Sequence, residues 1–161
     1  KKFRYFLNEI VGGVSDFEAE LDALLSQYQT VVRQKLLSCD VNPDLDQLRG
    51  LAPESRWLVA SGGDQNELRE VFLKRGLAPL FDGGIFGSPD TKELILSREI
   101  EGGNVISPTL FIGDSRYDHL AAAGAGLDFV FYSPWTEFHE WREYCDENAL
   151  PYVDSLCQLA T

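Results

Sequence analysis

One stretch, Thr109–Gly126, constrains this chain more than any other. It reads TLFIGDSRYDHLAAAGAG. Leu110-Phe111-Ile112 is an apolar run short enough for a buried strand. Gly113 breaks the run and Asp114 follows at the strand's carboxyl end. Ser115 suits the N-cap of a helix. The small residues Ala121, Ala122, Ala123 and Ala125 let that helix pack close to a sheet. In open α/β sheets, ligands collect outside the carboxyl ends of strands. Asp114 and Asp118 would lie there one helical turn apart, a hard oxygen site suited to Mg²⁺. The bland alternative is a capping Asp followed by a solvated helix Asp.

The remainder alternates in the same way. Trp57–Ala60 reads as a short apolar strand ending in Ser61-Gly62-Gly63, and Asp64 or Gln65 opens a helix to about Arg75. Ile85-Phe86 reads as a minor strand, and Pro89-Asp90-Thr91 starts a helix carrying Lys92, Leu94, Ile95, Leu96 and Ile100. Phe129–Tyr132 is a further strand, Trp135–Cys145 a helix and Ser155–Ala160 a short terminal helix. Strands alternating with helices imply βα units and a mostly parallel sheet.

Residues 1–50 differ in style. Phe3–Gly12 reads as a helix end closed by Gly12-Gly13, and Ser15 or Asp16 caps a long helix. Phe17, Leu21, Leu24, Leu25, Tyr28, Val31, Val32 and Leu36 recur at helical spacing and define one apolar stripe. Asp44–Leu51 is a short helix. The expected organisation is a helical region over 1–50 and an α/β core over 51–161.

With 161 residues the chain can bury a sizeable core, and 44% hydrophobic with 25% charged residues is ordinary globular composition. A net charge of −12 argues against nucleic acid or an anionic membrane surface as partner. A metal and one lysine can still set a local field that holds a phosphate ester. Cys39, Cys145 and Cys157 form no CxxC pair and read as free thiols of a reducing cytoplasm. The sequence opens Lys1-Lys2-Phe3 and contains no Met, so a preceding segment is expected.

Lys92 sits where a cation opposes the helix macrodipole, a mild frustration that makes sense if its ammonium points into an anionic site. A solvated helix lysine is the alternative. Ser61, Lys92, Asp114 and Asp118 thus each occupy a strand end or a helix start. In that order they resemble motifs II, III and IV of the haloacid dehalogenase-like (HAD) hydrolases. The Phe-Gly-Ser-Pro turn before Lys92 is similar to that of phosphatase-type members, and residues 3–50 resemble their mobile cap.

The resemblance implies a HAD core, a Rossmann-like parallel sheet sandwiched by helices with a small helical cap. It implies a Mg²⁺-dependent phosphohydrolase acting on a small phosphorylated metabolite through an aspartyl-phosphate. Ser61 with the Gly62 amide, and Lys92, would hold the phosphoryl oxygens. Asp114 would bind the metal directly. Asp118 would bind it through water or orient Lys92. The motif I strand, Asp-x-Asp-Gly, precedes the cap in the family and lies between the strands of motifs II and IV. Neither Asp40-Val41-Asn42 nor Phe81-Asp82-Gly83 follows an apolar strand. An upstream segment carrying Asp-x-Asp is therefore expected, cleaved, disordered or elsewhere. The competing reading is a non-catalytic phosphate- or metal-binding protein that has lost its nucleophile. A receiver-like phosphoacceptor would need its acidic residues ahead of the Ser/Thr and Lys, the reverse of this order. His119 reads as a surface or capping residue, and Trp135, Phe138, Trp141 and Tyr144 read as core.

Overall fold

A computed structural model describes residues 2–12 and 16–160. The chain divides into two units, Lys1–Asp40 and Val41–Thr161. In the first, α1 (Lys2–Tyr5) runs into a π-helical turn, Phe6–Val11, that closes at Gly12 with φ 63°. A positive φ is a conformation glycine adopts without a Cβ penalty. Helix α2 (Phe17–Ser38) starts at Asp16, whose carboxylate accepts the Ala19 amide at 3.2 Å. Gly13 and Ser15, named above in the turn and the cap, lie outside the described residues. Phe3 meets Tyr28 edge-on at 5.1 Å, and Arg4 pairs with Glu18. Leu7 and Leu21 are buried, but Leu25, Tyr28 and Val31 of the expected stripe are exposed. The shorter helical segment cannot cover the length of the 22-residue α2.

The second unit is α/β. Helix α3 (Leu45–Leu51) leads to β1 (Leu58–Asp64), α4 (Gln65–Lys74), β2 (Gly84–Ser88) and α5 (Lys92–Glu101). Then come β3 (Leu110–Gly113), α6 (Arg116–Gly124), β4 (Asp128–Tyr132), α7 (Trp141–Glu147) and β5 (Tyr152–Val153). Among the described residues all strand pairs are parallel, and they form two sheets, β1-β2 and β3-β4-β5. Helices flank both: α4 packs on β1 and β2, α6 on β3 and β4, and α5 on β1, β2 and α6. β1 is hydrogen-bonded only to β2, and β3 only to β4, among the described residues. Leu110 and Ile112, on one face of β3, remain 47% and 39% exposed, unusual for a parallel strand.

The core of the larger sheet is aromatic. Phe131 and Cys145 are fully buried with Ala122 and Phe129, and Trp141 stacks on Phe131 at 5.5 Å. Phe138 and Tyr144 meet edge-on at 5.5 Å. Two expectations fail here. The helix expected over Trp135–Cys145 begins only at Trp141, and Trp135 is exposed rather than core. The reason is local. The Thr136 hydroxyl accepts the Phe138 amide at 3.0 Å, a side-chain turn that competes with the helical ladder. The two-residue β5 is too short to carry a periodic signal and was not expected.

The start of the unit is tied to its end. The Asp44 carboxylate accepts the Ser155 hydroxyl at 2.6 Å and the Leu156 amide at 3.1 Å. The expected terminal helix is 3₁₀, Leu156–Ala160. Cys39, Cys145 and Cys157 form no disulfide among the described residues. No helix among the described residues is long and apolar enough to cross a membrane.

Candidate active site

The carboxyl end of β3 delivers Asp114, and the first turn of α6 delivers Asp118. Ser115 caps that helix as expected, but its geometry does more than cap. Its hydroxyl accepts the Asp118 amide at 3.2 Å and donates to Asp118 Oδ2 at 2.6 Å. Its own amide donates to the same oxygen at 3.2 Å, completing a reciprocal capping box. Asp118 is thereby drawn against the strand end and is 3% exposed, so it is not a solvated helix residue. Gly113 makes this possible, because a Cβ there would collide with Asp118 Cβ.

Lys92, the first residue of α5, forms an ion pair with Asp118 Oδ1. The side chains are 14% and 5% exposed. This explains the cation at a helix N-terminus: its partner lies on a different helix, and the pair is worth more than the unfavourable dipole contact. The Lys92 ammonium also sits 5.5 Å from the Tyr117 ring centroid, and the Tyr117 hydroxyl donates to Glu93 at 2.7 Å. That hydrogen bond lowers the Glu93 carboxyl below its ordinary value and raises the Tyr117 phenol. Tyr117 and Glu93 therefore brace α5 against α6 around Lys92. Nothing in the sequence singled out this brace, because its halves lie 24 residues apart.

Asp114 lies in the field of the Lys92 ammonium, but that effect is outweighed. Its carboxyl is raised above the ordinary range, first by burial and then by the negative charge of Asp118. It stays open to solvent on one side, which screens that repulsion. Asp118 has both oxygens occupied by protein donors, which fits the orienting role better than direct metal ligation. Among the described residues no three His, Cys, Asp or Glu side chains converge as a metal site. Asp114 alone is a partial one, and further donors would be needed.

Ser61 is half-buried in β1, and its hydroxyl oxygen accepts the Gly63 amide at 3.1 Å. Its proton stays free to donate outward. Gly62 and Gly63 are exposed. The carbonyl of Gly63 approaches Gly87 of β2 so closely that a Cβ there would collide with it. Helix α5, which carries Lys92 at its N-terminus, packs on β1 as well as α6. It is the element common to the Ser61 and Asp118 sides.

Other candidates are structural. Asp82 accepts the Trp57 amide at 2.9 Å and pairs with Arg49 at 3.0 Å, so it holds the entry to β1. His119 is neither a surface nor a capping residue: it is half-buried, shares a 2.7 Å hydrogen bond with the Tyr144 hydroxyl and packs on Phe129.

No family model matches the sequence, and no curated protein matches it. Among solved structures, the chain is similar to a crystal structure of a HAD-superfamily hydrolase from Ehrlichia chaffeensis. The TM-score is 0.56 at 18% identity, over 98% of this chain and 83% of that one. The chain has a HAD-like fold. Its parallel strands flanked by helices match that fold.

Proposed function

We propose that this chain forms the greater part of a Mg²⁺-dependent phosphohydrolase acting on a small phosphomonoester. The observation that carries the reading is the shielded Lys92–Asp118 pair beside Asp114, at the carboxyl end of a parallel strand. Asp118 fixes the Lys92 ammonium, which donates to a transferring phosphoryl oxygen. The Ser61 hydroxyl and the Gly62 amide donate to another. Such preorganised donors stabilise the charge of the phosphoryl group as it transfers. Asp114 would be the chain's own ligand for Mg²⁺, which supplies further neutralisation of that charge when bound.

The nucleophile is proposed on an added Asp-x-Asp strand. The open edges of β1 and β3 support this, since a two-stranded sheet such as β1-β2 is marginal by itself. One carboxylate of that strand attacks phosphorus as the bond to the leaving oxygen breaks. The second carboxylic acid gives its proton to the leaving group. Water then loses a proton to that second carboxylate and attacks phosphorus, releasing inorganic phosphate and the first carboxylate. Cysteines outside any disulfide suit a cytoplasmic setting.

The test is turnover of p-nitrophenyl phosphate with and without Mg²⁺ by protein that includes the Asp-x-Asp strand. Mg²⁺-dependent turnover, lost in Lys92→Ala, is expected. Mg²⁺ or phosphate binding without any turnover would favour the non-catalytic reading.

A further inference from the structure

We infer that Thr136 is a positioning residue for Asp114, acting through the peptide that joins Asp114 to Ser115. The inference rests on the proposed metal role of Asp114. The Thr136 hydroxyl donates to the Asp114 carbonyl oxygen at 2.5 Å. The amide on the other side of the same peptide, that of Ser115, donates to Asp118 Oδ2 at 3.2 Å. Both polar groups of one peptide unit are therefore held by side chains, one from α6 and one from the loop after β4.

A planar peptide held at both ends cannot swivel, so the ψ angle of Asp114 is set. The ladder of β3 with β4, which pairs Gly113 with Phe131, fixes the chain just before it. The direction of the Asp114 Cα–Cβ bond follows from these two constraints.

Thr136 is itself held. Its hydroxyl oxygen accepts the Phe138 amide at 3.0 Å, so its proton is directed at Asp114. The Thr136 amide donates to Ser133 O at 3.4 Å, closing the turn that leaves β4. Phe138 anchors the far side of the turn in the aromatic core. The expected helix over Trp135–Cys145 gives way to this turn, and its one threonine reaches back 22 residues to the strand end. A group that aligns a metal ligand without touching the metal tunes affinity rather than creating the site.

Calorimetric titration of Mg²⁺ into the full-length protein tests this, with thermal melts run alongside. Thr136→Ser keeps the donor and is expected to bind Mg²⁺ as wild type does. Thr136→Val removes it and is expected to weaken Mg²⁺ binding by about 10-fold or more, the scale for a lost outer partner of a ligand. Its melting temperature should stay close to wild type, because Thr136 lies on a half-exposed loop. Thr136→Ala makes the same comparison should the valine variant not fold. Wild-type affinity in Thr136→Val would overturn the inference and leave the site standing. So would a lowered melting temperature at unchanged affinity, or loss of folding in both Val and Ala variants. Absence of Mg²⁺ binding in wild type would overturn the inference together with the metal role of Asp114.

Discussion

Lys92 and Asp118, 26 residues apart in sequence, form an ion pair that is shielded from water on both sides. Neither residue is at ease alone. The lysine stands at the positive end of α5, and the aspartate is enclosed by the strand end, Ser115 and α6. Each gives the other the opposite charge that its surroundings withhold.

The pair should therefore be costly to break from one side. Lys92→Met is expected to destabilise the fold by about 3–5 kcal/mol, because it leaves Asp118 enclosed and unpaired. The double variant Lys92→Met/Asp118→Leu should cost clearly less than the two single changes added together. Urea denaturation of the four proteins of this cycle measures it, and additive losses would contradict the coupling.

Gly113 should tolerate no side chain. Gly113→Ala places a methyl where Asp118 Cβ lies, and a loss of about 1–3 kcal/mol is expected from the overpacking. Gly124→Ala, at the end of α6 with no atom near its added Cβ, should be neutral or stabilising by up to about 1 kcal/mol. Equal melting temperatures for the two variants would show that Asp118 does not depend on Gly113.

The Asp44 carboxyl sits below its ordinary value, chiefly because the Ser155 hydroxyl donates to it. A carboxyl depressed by folding stabilises the fold where it is ionised. Its contribution is complete above the unfolded value of about 3.9 and is lost as pH falls through the lower folded value. Ser155→Ala should consequently melt below wild type at pH 7, and the gap should close towards pH 2. A gap independent of pH would assign the effect to packing.

Asp114→Asn should weaken Mg²⁺ binding strongly and Asp118→Asn less, since both Asp118 oxygens already accept from Lys92 and Ser115 while Asp114 stands open to solvent. Calorimetry with the full-length protein distinguishes them. Identical affinity in wild type and Asp114→Asn would remove Asp114 from the site.

The open edges of β1 and β3 lead to a further expectation. Residues 1–161 without an added strand should be insoluble or molten, because β3 leaves Leu110 and Ile112 exposed and a two-stranded sheet such as β1-β2 is marginal against a total stability of about 5–15 kcal/mol. Extension by an Asp-x-Asp segment should restore a cooperative melt. A sharp transition from the shorter chain would count against the strand.

What the sequence by itself determined is short-range. The apolar run Leu110–Ile112, the break at Gly113 and the Ser115 cap act within a few residues, where strand burial and orphan helix amides dictate the residue type. Lys92 was legible as a misfit with its own helix dipole, though its partner was not. Only tertiary structure decided that Asp118 would be that partner, that Tyr117 and Glu93 would brace it, and that Thr136 would turn the chain back to Asp114 instead of continuing a helix. A threonine hydroxyl has several local hydrogen bonds open to it. The one it takes is chosen by the strand that packing brings alongside, and no neighbour in sequence carries that information.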